Sequence, residues 1–554
     1  MGVSNRKAGN ATESPAERIS AWAPFGIASF ALLWSATLVS NIGTWMHDVG
    51  AGWLMTTLNP DPAVVTLVQA ASTLPIFLFA LFAGAVADRV DKRKLLIVIN
   101  LLLMVVISAL AGLVAFDLMT PTLLIAITFV IGTGAAFLAP AWQSVVPELV
   151  PRSHLRPAIA LNSMGVNISR AIGPAIAGFL ITAVGLAAPF AVNAASHALI
   201  IAALIAWRRP AAEADRLPPE PIASAMLTGL RHAAHNGPLK ATLVRAIGFF
   251  FFASAYWALL PLIARGLPGG GAELYGFLLT AIGAGAVSGA VALPAIRARA
   301  DINLLTVGGV VLTAAAMLVL SLVSVRGAAI AAAFLGGAGW ITVLTSLNLS
   351  AQTSLPNWVR ARGLAIFMMV FFGSMAAGSA AWGQVATALS VDAALLIAAG
   401  GALAAIPLTR KARLGQGDDL DLSPSAYWPA PAVDLRMGNV ADRGPVMVTI
   451  EYQIDPVTEA AFLAAIHSLS GERYRDGAYQ WGVFQDAERP TSWFEWFLVP
   501  SWVEHLRQHE RTTLHDRDLQ EAVTALHTGA ESPRVRHWLP PPGRTAARGV
   551  PRGD

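Results

Sequence analysis

The sequence predicts an all-α polytopic membrane protein of about twelve spanning helices in two six-helix halves, followed by a small α+β domain. Three observations carry this expectation. Apolar residues make up 55% of the 554-residue chain and charged residues only 13%, about half the charge of a soluble globular protein. The apolar residues fall into runs long enough to cross a bilayer, which takes ~20 residues as a helix. From Gly415 onward the runs give way to alternating and helically periodic segments typical of a water-soluble fold.

The spans are expected at 25–57, 63–87, 95–116, 121–145, 157–184 and 188–207, then at 243–264, 273–296, 302–325, 328–350, 361–387 and 391–409. The first is too long for one crossing and implies a protruding end. Ahead of it, residues 1–24 are polar, lack the apolar core of a signal peptide and read as a cytoplasmic tail. Lys and Arg then settle the orientation. Arg89, Lys92, Arg93 and Lys94, then Arg152 and Arg156, then Arg208 and Arg209 all fall on one side. Arg297, Arg299, Arg360, Arg362, Arg410, Lys411 and Arg413 fall on that same side, leaving little beyond Arg265 and Arg326 for the other. Both termini are expected inside an inner, plasma membrane. The polar stretch 208–242 separates the halves (25–207 and 243–409) and holds a short amphipathic helix at "IASAMLTGLRHAAH". Echoes such as "QSVVP" and "QTSLP", each followed by an arginine pair, favour an internal duplication.

The chain has no cysteine, which excludes disulfides, iron–sulfur clusters and cysteine zinc sites. Its net charge of +4 is spent at the membrane edge, so no nucleic-acid partner is expected, and no cofactor is assigned.

Between spans two and three, "GAVADRVDKRKLL" packs six charges into seven positions. Gly84, Asp88, Arg89, Lys92 and Arg93 resemble motif A of the major facilitator superfamily, although Asp91 stands where a glycine is usual. The resemblance implies a twelve-helix major facilitator fold. It also implies a cytoplasmic gate in which Gly84 allows close packing and Asp88 pairs with Arg360 or Arg362 when the inner side closes. The alternative is a positive-inside anchor with no switching role. In span five, Gly173, Pro174 and Gly178 of "GPAIAG" resemble the helix-packing motif C of exporter branches. Arg170 falls ~20 Å along that span at 1.5 Å per residue, near the bilayer midplane. An arginine there is a functional residue by default, with a structural anchor as the alternative. Asp48, beside His47, is the proposed proton carrier, unless it sits solvated at the membrane edge. Asn41, Gln143 and Asn167 are further cavity candidates.

The tail begins with a Pro-rich linker at 410–445. Then come strands at 446–454, 479–486, 491–500 and 534–540, with helices at 455–470 and 501–529. This β-α-β-β-α-β order is ferredoxin-like and spans 446–540, ahead of a disordered tail at 541–554. It resembles the antibiotic-biosynthesis-monooxygenase type of domain. With the helical body, the chain resembles the transmembrane secretion effector branch of the superfamily. That resemblance implies a small-molecule exporter, for siderophores or antibiotics, driven by the proton gradient. His505 and His509, at i and i+4, share a helix face, but no recognised spacing places a third metal ligand such as His515 or Asp516. The Glu- and Arg-rich helix reads as a solvated face, so no metal or catalytic site is assigned and dimerisation or regulation is the expected role. The competing classes are uptake and a membrane-anchored enzyme acting through the tail.

Overall fold

The computed structural model describes residues 20–87, 89–207, 222–418, 420–425 and 443–541, with Arg152 and residues 222–225 described by their backbone alone. Asp88, the N-terminal stretch to residue 19, residues 208–221, residues 419 and 426–442 of the Pro-rich linker and residues 542–554 lie outside them. Among the described residues, eleven helical segments are long and apolar enough to cross a membrane. In the first half these are α2 (Pro62–Ala87), α3 (Lys92–Ala115), α4 (Pro121–Leu149), α5 (Leu155–Ala183) and α6 (Ala188–Ala206). The twelfth bundle helix is α1 (Ala28–Leu58). It has 31 residues, but Ser40, Asn41, Thr44, His47 and Asp48 dilute its apolar surface. It packs lengthwise on α5 and α6, which is where a polar-flecked helix must sit to keep those groups off lipid.

The amphipathic segment read from sequence is α7 (Ile222–His235). The second half follows as α8 (Gly237–Ala258), α9 (Leu260–Gly266), α10 (Ala272–Arg297), α11 (Ile302–Leu322), α12 (Arg326–Thr353), α13 (Arg360–Ala388) and α14 (Val391–Leu408). Its first span, expected as one helix over 243–264, starts earlier and breaks at Leu259. Pro261 falls in the first turn of α9, where its missing N–H costs nothing and a fresh helix starts easily.

The halves meet along two seams, α2 with α13 and α5 with α10. Glycine makes both possible. A Cβ on Gly178 would sit 2.9 Å from the Ala272 carbonyl, and one on Gly276 2.6 Å from that of Pro174. The two backbones therefore touch. At the start of α2, Thr387 Oγ1 donates to Asp61 Oδ1 across 2.5 Å. Arg265, closing α9, donates to the Thr56 carbonyl near the end of α1. All these ties lie toward the end of the bundle opposite the Lys- and Arg-rich turns.

The tail forms one antiparallel sheet in the order β2-β3-β1-β4, from β1 (Val446–Gln453), β2 (Gln480–Gln485), β3 (Ser492–Val499) and β4 (Arg534–Trp538). Strand β1 pairs with both β3 and β4. One face carries α15 (Glu459–Arg475), α16 (Trp502–Arg511) and α17 (Leu514–Thr524) over a core of Val448, Tyr452, Phe462, Ile466 and Phe497. The single helix expected at 501–529 is two helices. Thr513 and Asp516 cap each other's backbone N–H groups in a capping box, which starts α17 afresh.

The tail is not loosely tethered. Leu414 exchanges two hydrogen bonds with the Asn303 side chain, and Ser423 and Ser425 bond the backbone around Thr513. Tyr474 of α15 stacks on His235 of α7, ring centroids 5.0 Å apart. The Arg511 guanidinium of α16 lies 4.7 Å from the ring of Trp358, just before α13, and His232 of α7 meets the same ring edge-on.

Candidate functional site

Between the two halves lies a cavity of ≈ 410 Å³ lined by α1, α2, α4 and α5 on one side and α8, α9, α10, α12 and α13 on the other. Of the residues singled out in the sequence, it gathers His47, Asp48 and Arg170. Arg170 sits midway along the 29-residue α5. Its guanidinium carbon lies 5.5 Å from the centroid of the Trp45 ring. Its Nε is buried without a hydrogen-bond partner, and among the described residues no carboxylate pairs with it. Asp48 opens into the cavity. His47 is buried edge-on to Phe190, 5.2 Å between centroids, with both ring nitrogens unpartnered.

Three cavity candidates fall elsewhere. Gln143 is exposed, Asn167 donates to the Ser163 carbonyl of its own helix, and neither they nor Asn41 line the cavity. The wall also holds residues that sequence reasoning passed over: Trp257, Tyr275, Phe371, Phe372 and the thioethers of Met368 and Met375. Trp340 and Gln69 line it too. The arrangement offers one cation, one carboxyl and a broad aromatic wall, which suits a solute with a polar and an apolar part.

The glycines of the second motif lie at close helix approaches. Gly173 lets α5 approach α1, since a Cβ would meet Trp45 Cβ at 2.6 Å, and Gly178 faces α10. Pro174 leaves one backbone carbonyl of α5 without its helical donor.

Asp88 lies outside the described residues, so its pairing with Arg360 or Arg362 does too. Arg360 donates to the Leu355 carbonyl beside it, and the Arg362 side chain covers Gly229 of α7. Lys92 pairs with Glu148 of α4 at 3.0 Å, and Arg93 donates to the last carbonyls of α6, at Leu204 and Ile205. Cations there complement the negative end of the helix. Asp91 caps α3, accepting from the Lys94 N–H, which explains an acid where glycine is usual. Arg89 is exposed. Gly84 does not do what was expected of it: a Cβ there would meet nothing within 4 Å, so no helix presses on it in this conformation.

In the tail, the expected solvated face of α16 is largely buried: Glu504, His505, Gln508 and Arg511 face inward. Burial, together with the neighbouring Asp516 carboxylate, pushes Glu472 up to about 9. Asp476 moves up to about 7 for the same two reasons. Of the suggested third ligands, Asp516 is committed to its capping box and to Arg475, and His515 lies at the start of α17, away from the histidine pair.

Two six-helix halves closing on a central cavity define a major-facilitator-type transporter fold. The transmembrane secretion effector family matches residues 19–545. The chain belongs to that family. It is similar to the staphyloferrin A transporter of Staphylococcus aureus, 24% identical over 47% of this chain and 65% of that one. It is also similar to macrolide efflux protein A of Streptococcus pyogenes, 27% identical over 42% of this chain and 58% of the relative. These alignments span less than two thirds of each relative. Among solved structures, a POT family transporter in complex with a thioalcohol-conjugated peptide superposes with a TM-score of 0.59 at 13% identity, covering 69% of this chain and 96% of that one. At this identity the likeness is one of fold.

Proposed function

We propose that the chain exports a small amphiphilic molecule from the cell by alternating access, in exchange for protons. The observation that carries this reading is the cavity between the halves, with Arg170 and Asp48 set in an aromatic wall at mid-bundle depth. Arg170 binds an anionic group of the solute, the Trp45, Trp257 and Trp340 rings bind its apolar part, and Asp48 carries the proton. His47 sits next to it as an auxiliary. The named functions of the relatives, staphyloferrin A transport and macrolide efflux, supply the substrates to try first.

In this reading residues 25–207 and 243–409 are the moving halves. The Lys- and Arg-rich end faces the cytoplasm of a plasma membrane, by the distribution of cations. Asp88 with Arg360 or Arg362 forms the inner latch, and Lys92 and Arg93 fix its loop to the first half. The sheet order supports the likeness of residues 446–540 to antibiotic-biosynthesis-monooxygenase domains, here with a regulatory or dimerising role rather than a catalytic one.

The test is efflux from proteoliposomes with and without an imposed pH gradient. Asp48→Asn mimics the protonated acid, so it should bind substrate yet lose gradient-driven efflux, with Asp48→Glu retaining part of it. Gradient-dependent efflux at the wild-type rate by Asp48→Asn would remove Asp48 from the coupling step.

A further inference from the structure

The tail brings together three imidazoles, two from one helix and the third from a strand distant in sequence. His505 and His509 lie one turn apart on α16. Strand β4 supplies the third. In its register with β1, His537 stands opposite Val448, which in turn pairs with Phe497 of β3. Residues paired across a ladder project to one face of the sheet. Val448 and Phe497 are buried in the core beneath the helices, so His537 projects toward α16. The His505 ring centroid is 4.8 Å from that of His509 and 4.7 Å from that of His537. The Trp502 ring walls the group, 5.5 Å from His505 and 5.7 Å from His537.

We infer that His505, His509 and His537 form a binding site for one divalent transition-metal ion. One ring nitrogen from each lies within 4.8 Å of the others. A tetrahedral ion holding nitrogens at 2.0–2.1 Å wants them about 3.3 Å apart, so the widest pair closes by up to about 1.5 Å on binding, within reach of side-chain rotation. An independent feature points the same way. His505 Nδ1 lies 3.2 Å from Gln508 Oε1; with the amide in this orientation Nδ1 donates and Nε2 holds the lone pair. That Nε2 is buried and has no partner. A buried lone pair without a donor is costly, and an outer hydrogen bond that fixes the tautomer is the usual support of a metal-binding histidine. His509 and His537 are half-buried, which leaves a solvent side for entry and for a fourth, water ligand. Three neutral imidazoles suit zinc, copper, nickel or cobalt rather than magnesium or calcium.

The test uses the full-length chain in detergent, purified without a histidine tag and stripped with chelator, then titrated with Co²⁺ alone. The expected result is one equivalent taken up per chain with the visible spectrum of a four-coordinate ion, and displacement of that ion by Zn²⁺. His537→Gln, on an edge strand, should weaken uptake by about tenfold or more, and the pair His509→Gln with His537→Gln should abolish it. Zn²⁺ should raise the unfolding temperature of the wild-type chain and leave the double variant unchanged. No uptake by the wild-type chain, or equal uptake by wild type and His537→Gln, overturns the site.

Discussion

Two arginines buried in this chain carry the same group in opposite circumstances. Arg473, in the tail, is 2% exposed and grips a Glu495 that is 0% exposed, with Nε to Oε1 at 3.0 Å. Gln520 accepts a further bond from Arg473 at 2.7 Å, while Tyr452 and Trp481 donate to the same carboxylate at 3.0 Å each. Arg170, in the cavity, has the face of Trp45 and a bare Nε. A saturated charge holds a fold together; an unsaturated one keeps binding capacity in reserve. The difference separates architecture from a site more sharply than burial does, because both side chains are withdrawn from bulk water.

Breaking the saturated pair should have the largest effect. Arg473→Ala leaves Glu495 charged and unpaired inside the sheet domain, which should cost about 3–5 kcal/mol. Amide exchange of peptides from 446–541 in the full-length chain would show it as lost protection, and Arg473→Leu with Glu495→Leu should restore most of it. Protection unchanged in Arg473→Ala would mean that the pair is not structural. Arg170→Ala comes next. It should lower transport tenfold or more, equivalent to about 1.4 kcal/mol, while leaving the unfolding of the bundle where it was. Arg170→Lys separates charge, which it restores, from the planar fork, which it does not. Normal transport by Arg170→Ala would erase the contrast.

Glu472 is the middle case and the smallest effect. Its partner Arg475 is 3.5 Å away and already engaged by Asp516, and Glu472 Oε1 has no hydrogen bond. The folded domain therefore keeps a proton that the unfolded chain releases above its ordinary value of 4.5, up to about 9. The unfolded state binds fewer protons across that window, so stability falls as pH rises. Between pH 7 and 8 the loss from this group is limited to about 1.4 kcal/mol. Glu472→Gln should flatten the dependence of the domain's unfolding on pH in that interval. An equally steep slope in the variant would assign it to other groups, Asp476 first.

Much of this was readable from the sequence where a residue's chemistry contradicts its surroundings. An arginine and an aspartate inside apolar runs mark the cavity whatever the exact helix ends, and α7 and the four strands show their periods plainly. The aromatic wall was not readable. Helices such as α13 are apolar all round, so no pattern tells which of Met368, Phe371 or Phe372 faces the cavity rather than lipid. The break after Thr512 was present in sequence as a threonine three residues before Asp516, a cap signal overlooked inside a charged run. His537 needed the strand register, because its distance in sequence from α16 says nothing about the turn that brings it back.

The contact of the tail with α7 and Trp358 also has a direction in time. The chain is made from its N-terminus, and domains fold as they emerge. Both halves of the landing site, α7 and the foot of α13, are thus complete before Val446 has been synthesised. Until β4 follows, the ring of Trp358 and the outer face of His235 wait uncovered at the membrane surface. The sheet domain folds after the bundle, and its docking follows. A chain stopped after the bundle would keep that unfinished surface for its whole life.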